Sequence, residues 1–330
     1  MGCNTAAPYL LKEEKNYMQM HKTKEIDIIS IKKKREKSRQ LRQTIVAYSF
    51  LLPNFAGFVI FTMLPIIFAV VLSFCNWDGN HPIEFVGIKN YLNLGTDARF
   101  QAALVNTIAY CLGHIPLTMV CSLGLAVLLN RKLKGRNIFR TLAFFPYVAS
   151  LVAVAVVWNM LFNPQMGPVN MILNQILKIP PQSLPGWAAD KDWAMITVVM
   201  FSIWKSMGYY MVIYLAGLQG IPSDLYESAS LDGATGWQKF HYITWPMLSA
   251  TTFFVLVMMT IASFKVYDLI YMLTQGGPGT STLVLVYHIY NTAFVNGKYG
   301  YASCISMVLF VIVLAVTIIQ FTWEKKHADY

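Results

Sequence analysis

Long apolar stretches separated by short polar segments dominate the chain from residue 45 to its end. A helix that rises about 1.5 Å per residue needs about 20 apolar residues to cross the hydrocarbon layer of a membrane. Stretches that approach or exceed this length cover approximately residues 46–74, 105–130, 138–162, 194–217, 247–273 and 302–322. The pattern therefore predicts an all-α membrane protein with six transmembrane helices.

The segment before the first span has a different character. Residues 1–44 are polar, rich in lysine and poor in aromatic residues. Such a composition cannot bury enough apolar surface to form a core, and it is typical of a chain that is disordered or lies along a membrane surface. We expect a basic cytoplasmic tail over 1–44 and a transmembrane domain over 45–330.

The lysines and arginines alternate between the two sides of the predicted spans. With the N-terminus inside, 19 of the 26 fall in cytoplasmic segments and 5 in outer segments. Because positively charged loops are retained in the cytoplasm, this asymmetry predicts that both termini are cytoplasmic. The same clustering beside apolar stretches argues against a nucleic-acid partner, although the net charge is +10.

Composition narrows the possible chemistry further. Only 13% of the residues are charged, whereas soluble domains average about 25%. The 5 cysteines and 6 histidines show no metal-ligand spacing, and no phosphate-binding G-x-x-x-x-G-K-[ST] loop occurs. We expect no catalytic, cofactor-binding or metal-binding residues, so a membrane-embedded enzyme is the least favoured alternative.

One connecting segment, residues 218–246, is too polar to span a membrane but carries clear helix signals. Pro222, Ser223 and Asp224 suit a helix start through a fixed φ, a side-chain cap and a negative charge at the positive end of the helix dipole. Gly233 is a natural stop. The segment therefore predicts one short helix before the fifth span.

A second short helix is expected over Thr235–Tyr242, since Trp237, Phe240 and Ile243 share one face by their spacing. Pro246 should end this helix and open the fifth span. A helix that lies on lipid usually carries lysine or arginine on its polar face. These residues are nearly absent from this segment before residue 239, which favours contact with a protein.

The segment resembles the signature loop of permease subunits of binding-protein-dependent ATP-binding-cassette (ABC) importers. That loop reads Glu-Ala-Ala, three residues, Gly, nine residues, Ile, one residue, Leu-Pro. The matching positions here are Glu227, Ala229, Gly233, Ile243 and Pro246. Ser228 and Trp245 replace an alanine and the leucine, and both keep the small or apolar character of the position.

The resemblance implies the type I ABC importer permease fold, with a cytoplasmic coupling helix that binds an ATPase subunit. It implies a partner set of a second permease, two ATPase copies, an extracytoplasmic binding protein and membrane lipid, in the cell membrane of a prokaryote. The chain itself would not be an enzyme, because ATP and magnesium would bind to the partner ATPase. The implied coupling residues are Tyr226, Glu227, Ser228, Ala229, Asp232, Gly233 and Ala234.

Further matches narrow the resemblance to carbohydrate-uptake permeases. They include residues 90–92, 106–107 and 273–278, and together they extend from about residue 46 to the end. The implied solute is a sugar, with a di- or oligosaccharide as the first expectation. Glycerol phosphate or another polyol is the alternative within the family, and an ion-coupled secondary transporter is the alternative outside it.

Charged and aromatic residues within the spans are candidates for the solute path. Lys265 and Asp268 are three residues apart and could pair on one helix face, whereas Lys205 could snorkel or meet a partner subunit. Aromatic rings can stack on sugar faces, although membrane tyrosine and tryptophan often serve as interface anchors. The candidate path residues are Trp204, Tyr209, Tyr210, Tyr267, Asp268 and Tyr271.

Overall fold

The structure is a computed structural model that describes residues 33, 37, 39–131, 133–180 and 183–327. It forms two compact units, one that ends at Phe68 and one that begins at Ala69. The disordered or surface-lying tail predicted for residues 1–44 falls outside the described residues up to position 32. Residues 39–44 are helical and belong to the first long helix.

Helix α1 runs from Arg39 to Ser73, and its part up to Phe68 makes up the described region of the first unit. Most of its side chains from Ile45 to Val71 are apolar and exposed, as expected for a helix that is covered by lipid or by another membrane helix. A π-helical turn occupies Val59–Met63, just before Pro65. A wider turn relieves the clash between a proline ring and the carbonyl four residues earlier.

The second unit is helical apart from one small hairpin. Strand β1, Cys75–Asn76, pairs antiparallel with β2, Glu84–Phe85. The helices are α2 Lys89–Leu94, α3 Ala98–Asn130, α4 Arg136–Val148, α5 Leu151–Leu161, α6 Pro168–Leu177, α7 Ala194–Gln219, α8 Ser223–Leu231, α9 Gly236–Met247, α10 Ser249–Phe264, α11 Asp268–Leu273, α12 Leu285–Tyr290 and α13 Tyr299–His327.

Within the described residues, α1, α3, α7 and α13 are each long and apolar enough to cross a membrane. Two bent pairs also pass this test: α4 with α5, at 98°, and α9 with α10, at 63°. If each bent pair is one span, the number is six, although the α9–α10 pair runs from Gly236 to Phe264 whereas the fifth predicted span is 247–273. The third predicted span, 138–162, corresponds to the first bent pair, in which α4 ends at Val148 and α5 begins at Leu151.

The fifth predicted span, 247–273, is also interrupted. Helix α10 ends at Phe264 and α11 begins at Asp268, with Tyr267 at φ −138° and ψ −62° between them. Lys265 and Asp268 are both exposed, and no ion pair joins these two described residues. Their predicted pairing on one helix face is therefore wrong, because that face ends at the break.

Small residues allow close packing in the centre of the second unit. Thr118, Ser122 and Ala126 recur at every fourth position of α3, and none exposes any side-chain surface. Such spacing lets membrane helices approach one another closely. On α7, Gly208 lies against α4 so closely that a Cβ atom there would collide with the carbonyl oxygen of Ala143. Helices α3, α4 and α7 therefore form a tightly packed group.

Side-chain amides and hydroxyls of α3 fix the segment between α11 and α12. Asn106 Nδ2 donates to the carbonyls of Thr280 and Leu283 at 2.7 and 3.0 Å, and Thr107 Oγ1 accepts from Leu285 N at 2.9 Å. A glycine turn follows α11, with Gly276 at φ +82°. The side chains of Asn106 and Thr107 thus hold the segment after this turn and the start of α12 against α3.

Candidate functional site

The first candidate site is the loop formed by α8 and α9. Helix α8 begins at Ser223, directly after Pro222, as the sequence predicts. The predicted side-chain cap is wrong, however, because Ser223 is already within the helix and its hydroxyl donates to Asp224 Oδ1 at 3.3 Å. Asp224 lies in the first turn, where its negative charge interacts favourably with the positive end of the helix dipole.

The end of α8 closes in a Schellman motif around Gly233. Ala234 N donates to Ala229 O at 2.9 Å and Gly233 N donates to Ser230 O at 3.2 Å. Gly233 has a φ of +79°, a conformation that side chains with a Cβ atom rarely adopt. The predicted stop at this glycine is confirmed. The motif satisfies carbonyls that would otherwise lack donors at the helix end.

Helix α9 begins with a capping box. Thr235 N donates to Gln238 Oε1 at 2.7 Å, and Gln238 N donates to Thr235 Oγ1 at 3.4 Å. The predicted end at Tyr242 and Pro246 is wrong: a π-helical turn over Phe240–Thr244 accommodates the proline, and the helix continues to Met247. The break into α10 comes at Leu248.

Two side-chain contacts tie α8 to α9. The hydroxyls of Tyr226 and Thr244 lie 2.9 Å apart, and Lys239 Nζ donates to Ser230 Oγ at 2.7 Å. Since Tyr226 is half-buried and bonded inward, it braces the loop. Sequence reasoning overlooked Leu231, whose side chain is 90% exposed at the tip of α8.

The remaining predicted coupling residues lie at the surface of the loop. Glu227, Ser228, Asp232 and Gly233 are exposed, whereas Ala229 and Ala234 are half-buried. In the sequence, Leu231 could have been identified from its apolar side chain among the polar residues at the end of a short predicted helix. The loop thus presents exposed polar residues along α8, an apolar side chain at its tip, and exposed aromatic side chains on α9, among them Trp237 and Tyr242.

The second candidate site is a pocket of about 260 Å³ within the second unit. Helices α3, α4, α7, α10 and α11 contribute its lining. The residues of this polar pocket are Tyr110, His114, Tyr147, Ser202, Lys205, Ser206, Tyr210, Ala262, Ser263 and Leu269.

A chain of hydrogen bonds crosses the polar pocket. Tyr110 donates its hydroxyl proton to Ser202 Oγ at 2.9 Å. The ring nitrogens of His114 lie 3.0 Å from Ser263 Oγ and 3.1 Å from Ser206 Oγ, so this side chain of α3 bridges α10 and α7. Polar groups at membrane depth usually face the protein interior or water, where they find partners.

Lys205 is the one lysine or arginine among the residues that line the polar pocket. Its amine donates to the carbonyls of Pro146 at 2.9 Å, Tyr147 at 3.4 Å and Ala149 at 3.0 Å. These carbonyls lie at the end of α4. Lys205 therefore reaches the bend between α4 and α5 instead of the lipid surface.

The structure places the candidate path residues in two separate groups. Tyr210 lines the polar pocket, Tyr209 stacks on Tyr147 at 4.5 Å, and Trp204 packs against Trp158 at 5.3 Å. Their part in a solute path stays a prediction.

The second group, a tyrosine cluster, lies at the break after α10. Tyr267 and Tyr271 pack there with Tyr287 and Tyr290, and Tyr267 is 5.0 Å from Tyr290 between ring centroids. Asp268 is exposed beside them. The path assigned to this group likewise stays a prediction.

Sequence reasoning overlooked most of the hydroxyl groups of the polar pocket. Ser202, Ser206 and Tyr210 recur at every fourth position and therefore share one face of α7. This polar stripe on a predicted span is the sequence feature from which the hydroxyl groups of α7 could have been predicted. His114 and Ser263 lie on other spans, and only the packing of α3, α7 and α10 shows that they meet this stripe.

A larger groove of about 400 Å³ lies between α3, α10 and α13. Its lining is almost entirely aliphatic or aromatic, with Gln320 donating to Thr260 Oγ1 at 2.8 Å. An apolar surface of this kind suits lipid or another membrane helix better than a hydroxylated solute. The polar pocket is the better candidate for a solute site.

The N-terminal end of α3 carries a charged cap. Asp97 Oδ1 accepts from Arg99 N at 2.8 Å and Phe100 N at 3.2 Å, and Tyr301 donates its hydroxyl proton to Asp97 Oδ2 at 2.8 Å. Burial alone would raise the pKa of Asp97, but these hydrogen bonds hold it below its usual value. The carboxylate therefore stays ionised and stabilises the start of α3.

Known proteins of similar sequence are transport permeases, the class of protein that the α8–α9 loop resembles. The sn-glycerol-3-phosphate transport permease UgpA of Agrobacterium fabrum is 35% identical, over 87% of this chain and 97% of the relative. The trehalose/maltose transport permease MalF of Thermococcus litoralis is 33% identical, over 87% of this chain and 96% of the relative.

Solved structures identify the fold. A chain of a bacterial alginate ABC transporter, solved with an alginate pentasaccharide-bound periplasmic protein, superposes with a TM-score of 0.77 at 24% identity, over 88% of this chain and 98% of that chain. The predicted ABC importer permease fold is confirmed. Residues 115–326 match the family described as the binding-protein-dependent transport system inner membrane component. The chain belongs to this family of multi-pass membrane transport components.

Proposed function

We propose that this chain is one of two membrane-spanning subunits of an ATP-driven importer and forms half of the path of a saccharide. The observation that carries the proposal is the α8–α9 loop. Its signature residues form a braced helix pair that leaves Glu227 and Leu231 exposed. A surface of this shape suits insertion into a cleft on a partner ATPase, which would transmit ATP-driven closure to the spans.

The chemistry of the polar pocket supports a saccharide as the solute. Hydroxyl groups of serine and tyrosine can exchange hydrogen bonds with sugar hydroxyls, and three of the lining residues, Tyr110, Tyr147 and Tyr210, are aromatic. None of the residues that line this pocket is aspartate or glutamate. The Thermococcus relative is named for trehalose and maltose, both of which are neutral disaccharides.

The orientation follows from the same proposal. The α8–α9 loop and both termini face the cytoplasm, in agreement with the distribution of lysine and arginine. ATP and magnesium bind to two copies of a separate ATPase, a second permease completes the path, and an extracytoplasmic binding protein delivers the solute. This arrangement leaves the chain itself without catalytic residues.

A sugar phosphate or polyol phosphate is the second candidate solute, because the Agrobacterium relative is named for sn-glycerol-3-phosphate. Lys205 is the cation in the polar pocket, but three carbonyls already accept hydrogen bonds from its amine. A phosphate would have to replace these bonds. The pocket therefore favours neutral saccharides over phosphorylated ones.

Uptake by the reconstituted transporter tests the proposal. The chain, its partner permease, the ATPase and the binding protein are placed in liposomes with maltose, trehalose, lactose or glycerol 3-phosphate outside. We expect uptake of at least one neutral saccharide that requires both ATP and the binding protein. Uptake that continues without ATP under a fixed ion gradient would instead support a secondary transporter.

Filling the polar pocket should block uptake without detaching the ATPase. In Ser206→Leu, the branched side chain occupies part of a pocket of about 260 Å³ and removes the hydroxyl near His114. We expect saccharide uptake to fall more than about tenfold, since a misplaced solute loses both contacts and orientation. Scintillation counting of the labelled saccharide measures the loss.

The matched control is Ser206→Ala, which removes the same hydroxyl but leaves the space open. It should keep most of the uptake, and both variants should copurify with normal amounts of ATPase. Equal loss of uptake in the two variants would show that the hydrogen bond matters and the space does not. Full uptake by Ser206→Leu would exclude this pocket from the path.

A further inference from the structure

Lys205 lies at a position in a membrane helix where a positive charge costs free energy. It lies near the middle of α7, a helix long and apolar enough to cross a membrane. A charged side chain at this depth needs a partner, usually a carboxylate or water. Among the described residues, no carboxylate oxygen lies within the 4.0 Å that defines an ion pair with its amine. The positive charge must therefore be compensated in another way.

The compensation comes from the end of α4. This helix ends at Val148, so the carbonyls of its last turn have no N–H donor within the helix. Three carbonyls of this region, those of Pro146, Tyr147 and Ala149, accept hydrogen bonds from Lys205 Nζ. The C-terminal end of a helix also carries a partial negative charge, which favours a cation.

The interaction links a bend to the pocket wall. Helices α4 and α5 meet at 98°, and unpaired carbonyls at such a break are costly in a membrane. The same lysine-bound segment carries Tyr147, which lines the polar pocket and whose ring stacks on that of Tyr209 at 4.5 Å. The place of Tyr147 in the pocket thus depends on the conformation of the bend.

We propose that Lys205 is a positioning residue that holds the α4–α5 bend and thereby places Tyr147 in the wall of the polar pocket. Its ammonium group acts as a cap on the open end of α4, in the way that a basic side chain caps a helix C-terminus. A role in binding an acidic solute is the competing explanation. In that case the amine would act on the solute and the bend would not depend on it.

Distance measurements across the bend separate these explanations. Spin labels are attached at positions 139 and 156, where Phe139 and Val156 are 55% and 56% exposed, in a chain whose native cysteines are replaced. The chain is studied in lipid nanodiscs as the full complex with its partner subunits, by pulsed electron paramagnetic resonance. No solute is required, so the result does not depend on the proposed function.

We expect one narrow distance distribution for the wild type and for Lys205→Arg, which keeps a cation able to donate to several carbonyls. In Lys205→Met the end of α4 loses its cap, and the distribution should become about twofold wider or shift. Lys205→Gln keeps an N–H donor without the charge and should fall between the two. This variant also keeps the test valid if Lys205→Met does not assemble.

Lys265→Met is the matched control, because Lys265 is a second lysine within a predicted span but is exposed at the break after α10. It should leave the distances across the α4–α5 bend unchanged. A wild-type distribution in Lys205→Met would overturn the proposal and favour the solute-binding role. Equal broadening in Lys205→Met and Lys265→Met would also overturn it, since the effect would then follow from losing any lysine.

Discussion

Replacing Leu231 with aspartate should detach the ATPase from the purified complex. Leu231 is 90% exposed at the tip of α8, where the proposed function places the partner ATPase. Burying a carboxylate at a protein interface without a partner is costly, and removing an interface anchor costs about 2 kcal/mol or more. We expect copurified ATPase and ATP-dependent uptake to fall more than about tenfold.

The control for this substitution is Leu231→Met, which keeps an apolar side chain of similar volume. It should retain the ATPase and most of the uptake. Both variants should insert into the membrane in normal amount, because the change lies outside the spans. Normal ATPase content in Leu231→Asp complexes would show that this tip does not contact the motor subunit.

Replacing Gly208 with valine should prevent stable packing of α7 on α4. A Cβ atom at position 208 would collide with the carbonyl oxygen of Ala143, so the two backbones must move apart. Overpacking usually costs about 1–3 kcal/mol, and a clash with backbone belongs at the upper end of that range. We expect a much lower melting temperature and yield of the purified complex, measured by fluorescence-detected size exclusion after heating.

Gly124→Ala provides the comparison. Gly124 lies in α3, and a Cβ atom there would meet no other atom within 4 Å. Exchanging a glycine inside a helix for alanine gains about 0.5–1 kcal/mol when the site is open. This variant should therefore match or exceed the wild-type melting temperature. A similar loss in both glycine variants would argue against close helix contact as the cause.

The spans and the loop were predictable because their signals are local. Hydropathy alone located the four long apolar helices and the bent pair α4–α5, and Gly233 marked the end of α8 through its own conformational freedom. The signature spacing from Glu227 to Pro246 identified the family, which residues 115–326 confirm. In each case neighbouring residues decide the outcome, so no knowledge of packing was needed.

The interruptions and the polar pocket depend on contacts between distant residues. The break at Lys265 occurs without a proline, and the charged residues Lys265 and Asp268 at this point do not by themselves indicate that the helix ends there. Likewise, Lys205 pairs with carbonyls 56 to 59 positions away, and His114 meets Ser263 across 149 positions. A pattern along one chain cannot predict which helices become neighbours.

Pro246 illustrates a second limit. Proline usually ends a helix, yet α9 continues through it because a π-helical turn widens the preceding segment. The extra residue in such a turn changes which side chains face the same way. Sequence periodicity therefore mispredicts the end of the loop, although it identifies its two helices.

In the proposed complex, the capped ends of α8 and α9 should affect how fast the ATPase binds to this chain. The Gly233 motif and the Thr235 box satisfy the free backbone groups between the two helices inside the loop itself. Such a surface needs little ordering when the motor protein arrives, so little entropy is lost on association. Docking should then proceed as a rigid-body encounter, and the lifetime of the complex should depend mainly on how slowly the two surfaces separate.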